Sequence, residues 1–287
     1  MHTVNAKTIL SAQNGMNLCR GCTHGCIYCD SRSRCYQFTH AFEDIEVKQN
    51  APELLEQALR SKRKRCMIGT GSMSDPYLPL ERELCLTRRC LEIIDRYGFG
   101  AALITKSDLV LRDIDLLRSI HGKAKAVVQM TLTTFDEDLC RIIEPNVCTT
   151  RRRFEVLCEL RRQGIPTIVW LSPILPYLND TRENLAGILK YCIHAGVKGI
   201  VCFGMGVTLR EGNREYFYRA LDRHFPSLKD RYIREFGNDY ELDSPNHAQL
   251  MHLFHAVCEK YGIMHDNGQI FAYLRDLPEP YEQLTLF

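Results

Sequence analysis

The spacing of apolar residues divides the chain into two regimes. From about residue 66 to residue 204, short apolar runs alternate with stretches of helical spacing. "CMIGTG" (66–71) is a compact apolar run closed by glycines. "LERELCLTRRCLEIIDRYG" (80–98) places Leu84, Leu91 and Ile94 at helical intervals, and Gly98 supplies a stop. "FGAALITKS" (99–107) predicts a buried strand, and "DLVLRDIDLLRSI" (108–120) a helix whose opening Asp108 suits the helix dipole. The series continues with a strand at 124–134, helices at about 135–143 and 150–163, a strand at 165–174, a helix at 181–195 and a strand at 199–204. With an early strand at "TILSAQ" (8–13) there are about six strand–helix units. Such alternation gives parallel βαβ units. Six units are too few to close a barrel, so the predicted fold is α/β, a partial (β/α)6 TIM-like barrel.

After Gly206 the alternation stops. Residues 211–265 read as helical, and "SPNHAQLMHLFHAVCEKYG" (244–262) is punctuated by Ser and Pro at its start and Gly at its end. The expected organisation is a core over 1–210, a small helical C-terminal appendage over 211–277 and an extended tail over 278–287.

Composition narrows the class. Net charge is +2, less basic than a dedicated polyanion binder. No apolar leader follows Met1 and no run of about 18 apolar residues occurs, so neither a signal peptide nor a membrane span is expected. A cytoplasmic location follows, where thiols stay reduced and clustered cysteines bind metal rather than pair. Of the 14 cysteines, Cys66, Cys90, Cys158, Cys192, Cys202 and Cys258 fall singly in apolar or helical segments and read as small buried hydrophobes.

"RGCTHGCIYCDSRSRC" (20–35) is different, being rich in Gly, Arg and Ser with little to pack. Cys19 with Cys22, and Cys26 with Cys29, could supply four zinc ligands, but only three residues separate the pairs. A structural zinc site closes a longer loop. Cys22, Cys26 and Cys29 alone, at C-x3-C-x2-C, are one thiolate short of an ordinary cubane site.

That spacing, with Tyr28 just before the third cysteine, resembles the signature of the radical S-adenosylmethionine superfamily. "NLCRGCTHGCIYCDSRS" (17–33), "GSMSDPYLPLERELCLTRRCLEII" (71–94), "ITKSDLVLRDIDLL" (104–117), "IIEPNVCTTRRRFEVLCELRRQGIP" (142–166) and "SPILPYLND" (172–180) together resemble its spore photoproduct lyase-related branch, over roughly residues 8–262. That branch includes proteins labelled DNA repair photolyases. The resemblance implies a partial barrel, a [4Fe–4S] cluster on Cys22, Cys26 and Cys29, and S-adenosylmethionine on the open iron. In the superfamily one electron, from a donor such as flavodoxin or ferredoxin, cleaves the cofactor to methionine and a 5′-deoxyadenosyl radical, which abstracts hydrogen from a substrate. Damaged DNA or a nucleotide is the expected substrate. A protein or small metabolite is the alternative, and a cluster-bearing accessory protein of DNA transactions is the reading from another class.

Ligands of parallel α/β folds bind at the C-terminal strand ends. There "TGSMSDPY" offers Ser72, Ser74 and Asp75 as acceptors for the cofactor's ammonium group. Lys106 ends the next strand as a partner for its carboxylate, a role the family resemblance supports. Thr131 alternates with Gln129 and Thr133 on one face, and Tyr28 is placed against adenine. Arg151–Arg153 open a helix, where cations are unfavourable, and so are expected to bind phosphate or an acidic substrate. Cys19 and Cys35 read as spare thiols. The chain departs from the branch's namesake in lacking a cysteine hydrogen donor in "TGSMSDPY". Finally, Gln283, Leu284, Leu286 and Phe287 resemble the peptide by which bacterial proteins bind the DNA sliding clamp, and Pro278 and Pro280 favour an extended segment before it.

Overall fold

The structure, a computed structural model, describes residues 1–277. The tail from residue 278, with the clamp-like Gln283, Leu284, Leu286 and Phe287, lies outside the described residues.

The chain opens with β1 (His2–Val4), β2 (Gly15–Met16), β3 (Cys19–Arg20) and β4 (Glu46–Lys48), followed by α1 (Ala51–Ser61) and β5 (Met67–Thr70). Next come α2 (Glu81–Leu84), α3 (Leu86–Tyr97), β6 (Gly100–Thr105), α4 (Ile114–Lys123), β7 (Ala126–Thr131), α5 (Glu137–Ile143), α6 (Thr150–Arg162), β8 (Thr167–Trp170), α7 (Arg182–Ala195) and β9 (Gly199–Val201). The C-terminal third holds β10 (Gly206–Thr208), α8 (Asn213–His224), α9 (Leu228–Phe236), β11 (Glu241–Asp243), α10 (His247–Tyr261) and α11 (Asn267–Arg275). Six strands form one parallel sheet in the order β2-β5-β6-β7-β8-β9, and β1, β4 and β3 form a separate small sheet. The fold is the expected α/β partial barrel.

Strand alternation explains how this barrel is filled. Ile68, Ala101, Leu103, Val128, Val169 and Ile200 face the surrounding helices and join the main core with Leu55, Leu91, Leu117 and Leu157. The intervening Met67, Ala102, Val127, Ile168 and Val201 face the concave side. There α11 covers their lower halves through Ile270 and Leu274. Further along the same inner rows come Gly71, Lys106, Thr131, Trp170 and Phe203, which line a cavity, with Phe271 of α11 against the two aromatic rings. The inner face is thus apolar and plugged below, polar and open above.

Several elements differ from the spacing. The first barrel strand is Gly15–Met16, not 8–13. Ser11 closes a turn on Gly15, with Asn14 at φ 61°, so residues before it form only the outer arm, through the Leu10–Met16 bridge. The helix expected over 80–98 is broken at Cys85, in left-handed conformation at φ 49°. The Glu81 carboxylate there accepts from the Thr87 amide at 3.0 Å and caps a new helix start. Asp108–Asp113 form a 3-10 turn before α4 begins. The C-terminal third is largely helical, but β10 and β11 pair as an antiparallel ribbon that three-residue strands do not betray in the sequence. α8 and α9 pack through Phe217, Leu221 and Tyr232 into a second cluster shared with Ile27 and Tyr28 of the cysteine loop, Ile143 and Leu175, whereas Leu250, Phe254 and Cys258 of α10 enter the main core beside Leu185, Ile188 and Cys192 of α7.

Because α10 completes the barrel core, Phe254→Ala should destabilise the whole protein by about 3–5 kcal/mol. Urea unfolding followed by far-UV circular dichroism checks this. A separate, early transition with the main midpoint unmoved would show that α10 folds apart from the sheet.

Candidate functional site

The cysteine loop leaves β3 through Gly21, whose φ is 87° and whose hypothetical Cβ would lie 2.4 Å from the Phe42 carbonyl. Only glycine tolerates that approach. The Cys22 amide then donates to the same carbonyl at 3.0 Å. On the other side the Ile27 amide donates to Ile143 O at 3.0 Å, the Asn146 amide donates to His24 O at 3.1 Å, and the Asn146 side chain donates to Thr23 O at 2.9 Å. The loop is therefore fixed by its backbone, and its thiols are left for the cavity. Cys22, Cys26 and Cys29 all line that cavity, of about 580 Å³.

Burial pushes the Cys22 thiol up to about 12 and Cys26 higher still, so both are protonated until a metal displaces the proton. Their sulfurs suit several irons better than one ion. Thiolates on one tetrahedral zinc sit about 3.8 Å apart, given Zn–S of about 2.3 Å. Among the described residues, the one group of three or more His, Cys, Asp or Glu ligand atoms gathered within 4.8 Å is elsewhere, and these three sulfurs are not such a group.

Behind the loop lies a fully buried charge network. The Tyr28 hydroxyl donates to Glu144, which pairs with Arg153, and neither charged side chain is exposed. Arg153 also donates to Thr131 O at 2.7 Å and Cys148 O at 2.9 Å. Burial alone would raise the Glu144 carboxyl, but Arg153 and Lys106 outweigh it and hold the group below the usual carboxylate range. This corrects the reading of Arg153 as a ligand for phosphate or an acidic substrate. Arg151 and Arg152 pair with Glu155, Arg152 also meets Asp108, and Arg153 is internal. The sequence did carry a sign of it: Arg153 shares a helix face with the buried Val156, Leu157 and Leu160.

The other expected site residues gather at the cavity, in different conditions. Burial would lower the Lys106 ammonium, but Cys26, once a thiolate, and Glu144 outweigh it and raise it, so the cation persists. Its Nζ lies 5.8 Å from the Tyr28 ring centroid. Asp75 lines the cavity, but its oxygens accept from Tyr77 N at 2.8 Å, Thr105 Oγ1 at 2.7 Å and Lys106 N at 2.8 Å. Those bonds set the turn and aim Lys106. Ser74 donates to Gly21 O at 2.7 Å and so ties this turn to the cysteine loop. Ser72 is exposed at the cavity wall. Thr131 presents its side chain to the cavity while its carbonyl anchors Arg153. Gly71, at φ 101°, brings this turn so near β6 that a Cβ would meet Ile104 O at 2.1 Å. Cys19 is buried in the core, and Cys35 is exposed 3.4 Å from Arg210.

The spacing did not reveal the cavity's mouth. Trp170, fixed by its indole N–H to Gln129 Oε1 at 2.9 Å, lies 6.0 Å from Phe203, which is 63% exposed. Their parity with Ile168 and Val201 was the available signal. The ribbon adds Thr208, Glu241 and Asp243, and the cysteine loop adds Asp30 and Tyr36. No local pattern marks these, because the ribbon pairs across 32 intervening residues, 209 to 240.

Breaking the buried network should be costly. Arg153→Met leaves Glu144 buried without its cation and should destabilise by about 3–5 kcal/mol, against about 1–3 kcal/mol for Tyr28→Phe. Urea unfolding of the cluster-free protein measures both. An unchanged midpoint for Arg153→Met would mean that the pair does not hold the loop in place.

Known proteins bear on this site. The Radical SAM superfamily matches residues 16–192. An uncharacterized protein of Mycobacterium tuberculosis is 29% identical over 243 residues, spanning 81% of this chain and 69% of its own length. An uncharacterized protein of Methanocaldococcus jannaschii is 34% identical over 189 residues, spanning 65% of this chain and 70% of its own length. A spore photoproduct lyase mutant with bound AdoMet and dinucleoside spore photoproduct shares the fold, with TM-score 0.64 at 12% identity over 92% of this chain and 80% of that one. With the superfamily matched across more than half its length, the chain belongs to the radical S-adenosylmethionine enzymes, whose cofactors are a [4Fe–4S] cluster and S-adenosylmethionine.

Proposed function

We propose that this enzyme removes hydrogen from a nucleobase, in DNA or a nucleotide, held at the aromatic mouth of the cavity. The exposed Phe203 beside Trp170 carries the reading. Stacking on such a platform is worth about 1–3 kcal/mol per base and accepts any base. The carboxylates of Asp30, Glu241 and Asp243 would accept N–H groups from a base edge and repel phosphate. A base would therefore enter ahead of its backbone, as an extruded nucleotide does. The same carboxylates favour a second reading, an amine-bearing peptide or metabolite.

In this reading Cys22, Cys26 and Cys29 hold the cluster. Lys106 pairs with the methionyl carboxylate, and Ser72 and Thr131 offer hydroxyls to the cofactor's polar groups. Asp75 and Ser74 keep the turn and Lys106 in position, and Tyr28 closes the floor of the site. When bound, the two cofactors supply reductive cleavage of the sulfonium and, from it, a hydrogen-abstracting radical. A flavodoxin or ferredoxin would deliver the electron. Ile104 and Pro173 in the lining keep part of the wall apolar, which limits quenching by water.

Each of Cys22→Ala, Cys26→Ala and Cys29→Ala should lose most cluster iron after anaerobic reconstitution, and Cys35→Ala should keep it. Lys106→Ala should retain iron but bind S-adenosylmethionine about tenfold to a hundredfold more weakly, the loss of a charge-assisted bond of about 1.5–3 kcal/mol. Iron analysis and equilibrium dialysis check the set. Unchanged cofactor affinity in the lysine variant would move the carboxylate contact elsewhere.

Release of 5′-deoxyadenosine by the reconstituted enzyme, with and without damaged oligonucleotides, tests the substrate. Oligonucleotides should stimulate it, and Phe203→Ala should raise the concentration needed roughly fivefold to a hundredfold while leaving the basal rate intact. Stimulation by peptides but not by oligonucleotides would decide for the second reading.

A further inference from the structure

A second group of ligating side chains lies outside the cavity, in the small N-terminal sheet. His2 on β1 stands directly across from Glu46 on β4 in the parallel pairing. His40, from the turn before β4, closes over both, its ring 4.9 Å from that of His2. His2 Nε2 lies 4.0 Å from Glu46 Oε2, and His40 Nε2 lies 3.9 Å from the same oxygen. The three ligand atoms fall within 4.8 Å of one another.

The proton positions make this arrangement unusual. His2 Nδ1 is 3.0 Å from a carboxylate oxygen of Asp44, and His40 Nδ1 is 2.9 Å from the carbonyl of Ala41. Both partners are obligate acceptors, so each Nδ1 carries a proton and Nε2 is the nitrogen left to bind a metal. The two Nε2 atoms and a carboxylate oxygen then converge on one point. His40 Nε2 is buried and has no hydrogen-bond partner. Protonating either ring would not repair this, because 3.9–4.0 Å is too long for a hydrogen bond.

We propose that His2, His40 and Glu46 bind a divalent transition-metal ion of the zinc type. Two imidazole nitrogens and one carboxylate oxygen suit zinc, with water in the fourth position. Ligand atoms on tetrahedral zinc sit about 3.3–3.5 Å apart, given bonds of about 2.0–2.1 Å, so side-chain rotations of under an ångström close the site. Asp44 supplies the outer-shell carboxylate that fixes the His2 tautomer, the usual support for a metal-bound histidine. His2 is partly exposed, which leaves an entry path. The site ties β1 to the segment carrying Phe42, whose carbonyl holds the Cys22 amide. Its role is a clamp behind the cysteine loop.

The test uses the holoenzyme with its iron–sulfur cluster filled, so that the cysteine thiolates cannot compete. Zinc is added, excess is removed with a weak chelator, and zinc and iron are measured together with the zinc X-ray absorption edge. About one retained zinc per chain is expected, with nitrogen and oxygen neighbours only and imidazole outer-shell scattering. His2→Ala and His40→Ala should retain almost none while keeping their iron. Asp44→Ala should weaken zinc affinity roughly tenfold to a hundredfold. Glu46→Gln replaces a histidine variant that fails to fold, and it too should retain almost no zinc. No retained zinc, zinc with sulfur neighbours, or full retention by the His40→Ala protein would each overturn the site.

Discussion

The ion pair between Glu144 and Arg153 is the constraint on which the rest of the cavity depends. Burying two charges costs several kcal/mol each before their attraction repays it, so such a pair is poor as plain stabilisation. Its geometry shows what it provides instead. Arg153 comes from the first turn of α6, Glu144 from the end of α5 and Tyr28 from the cysteine loop, and Arg153 also holds the last carbonyl of β7. The cysteine loop is thereby brought to one point with three successive segments more than a hundred residues further along the chain. Apolar residues of equal volume would fill the space but would not fix the phenol of Tyr28, nor lend Lys106 the negative neighbour that keeps it charged. The pair thus adds a charged anchor behind a cysteine loop and a lysine that backbone and Asp75 hydrogen bonds already place.

The division of the concave face follows from a simpler rule. A half-closed sheet exposes alternate residues inward, and each inward row must be covered or wetted. α11 covers the lower row, where Met67, Ala102, Val127, Ile168 and Val201 leave no polar atom to satisfy. Further along the inward rows, past Ile104 and Gln129, come Gly71, Lys106, Thr131 and Trp170, and the cavity begins. The helix that fills the barrel's floor therefore also sets the depth of its site.

Much of this was legible in the sequence. The strand–helix alternation, the grouping of the cysteine triple at one cavity and Lys106 at a strand end depend on local spacing, which a sequence displays. The misplaced first strand shows the limit. "TILSAQ" has the apolar content of a strand, but Ser11 and Asn14 turn the chain so that only Gly15–Met16 reaches β5. Arg153 shows another. Its face on α6 was readable, but a charge on an apolar face reads as binding until its buried partner is known, and Glu144 lies nine positions away across a loop. The mouth residues of β10 and β11 depend on non-local pairing that three-residue strands cannot announce.

The cavity changes in charge from floor to mouth, and this orders what can enter. At the base, Lys106 and the Arg153 network set positive charge beside the cysteine loop. At the rim stand Asp30, Glu241 and Asp243, only partly offset by Arg210 at 3.7 Å from Asp30 and by His247 at 3.5 Å from Asp243. An anion free in solution meets repulsion first and attraction only once inside. A zwitterion of net positive charge, such as S-adenosylmethionine, is drawn to the rim by its cationic groups and carries a carboxylate that suits the cation at the base. In the proposed placement its carboxylate would pair with the lysine at the base, and the charge left at the mouth would be the acidic rim. On the proposed function, a substrate binding second would present N–H groups or a bare aromatic face to the Trp170–Phe203 pair and keep any phosphate outside the ring of carboxylates.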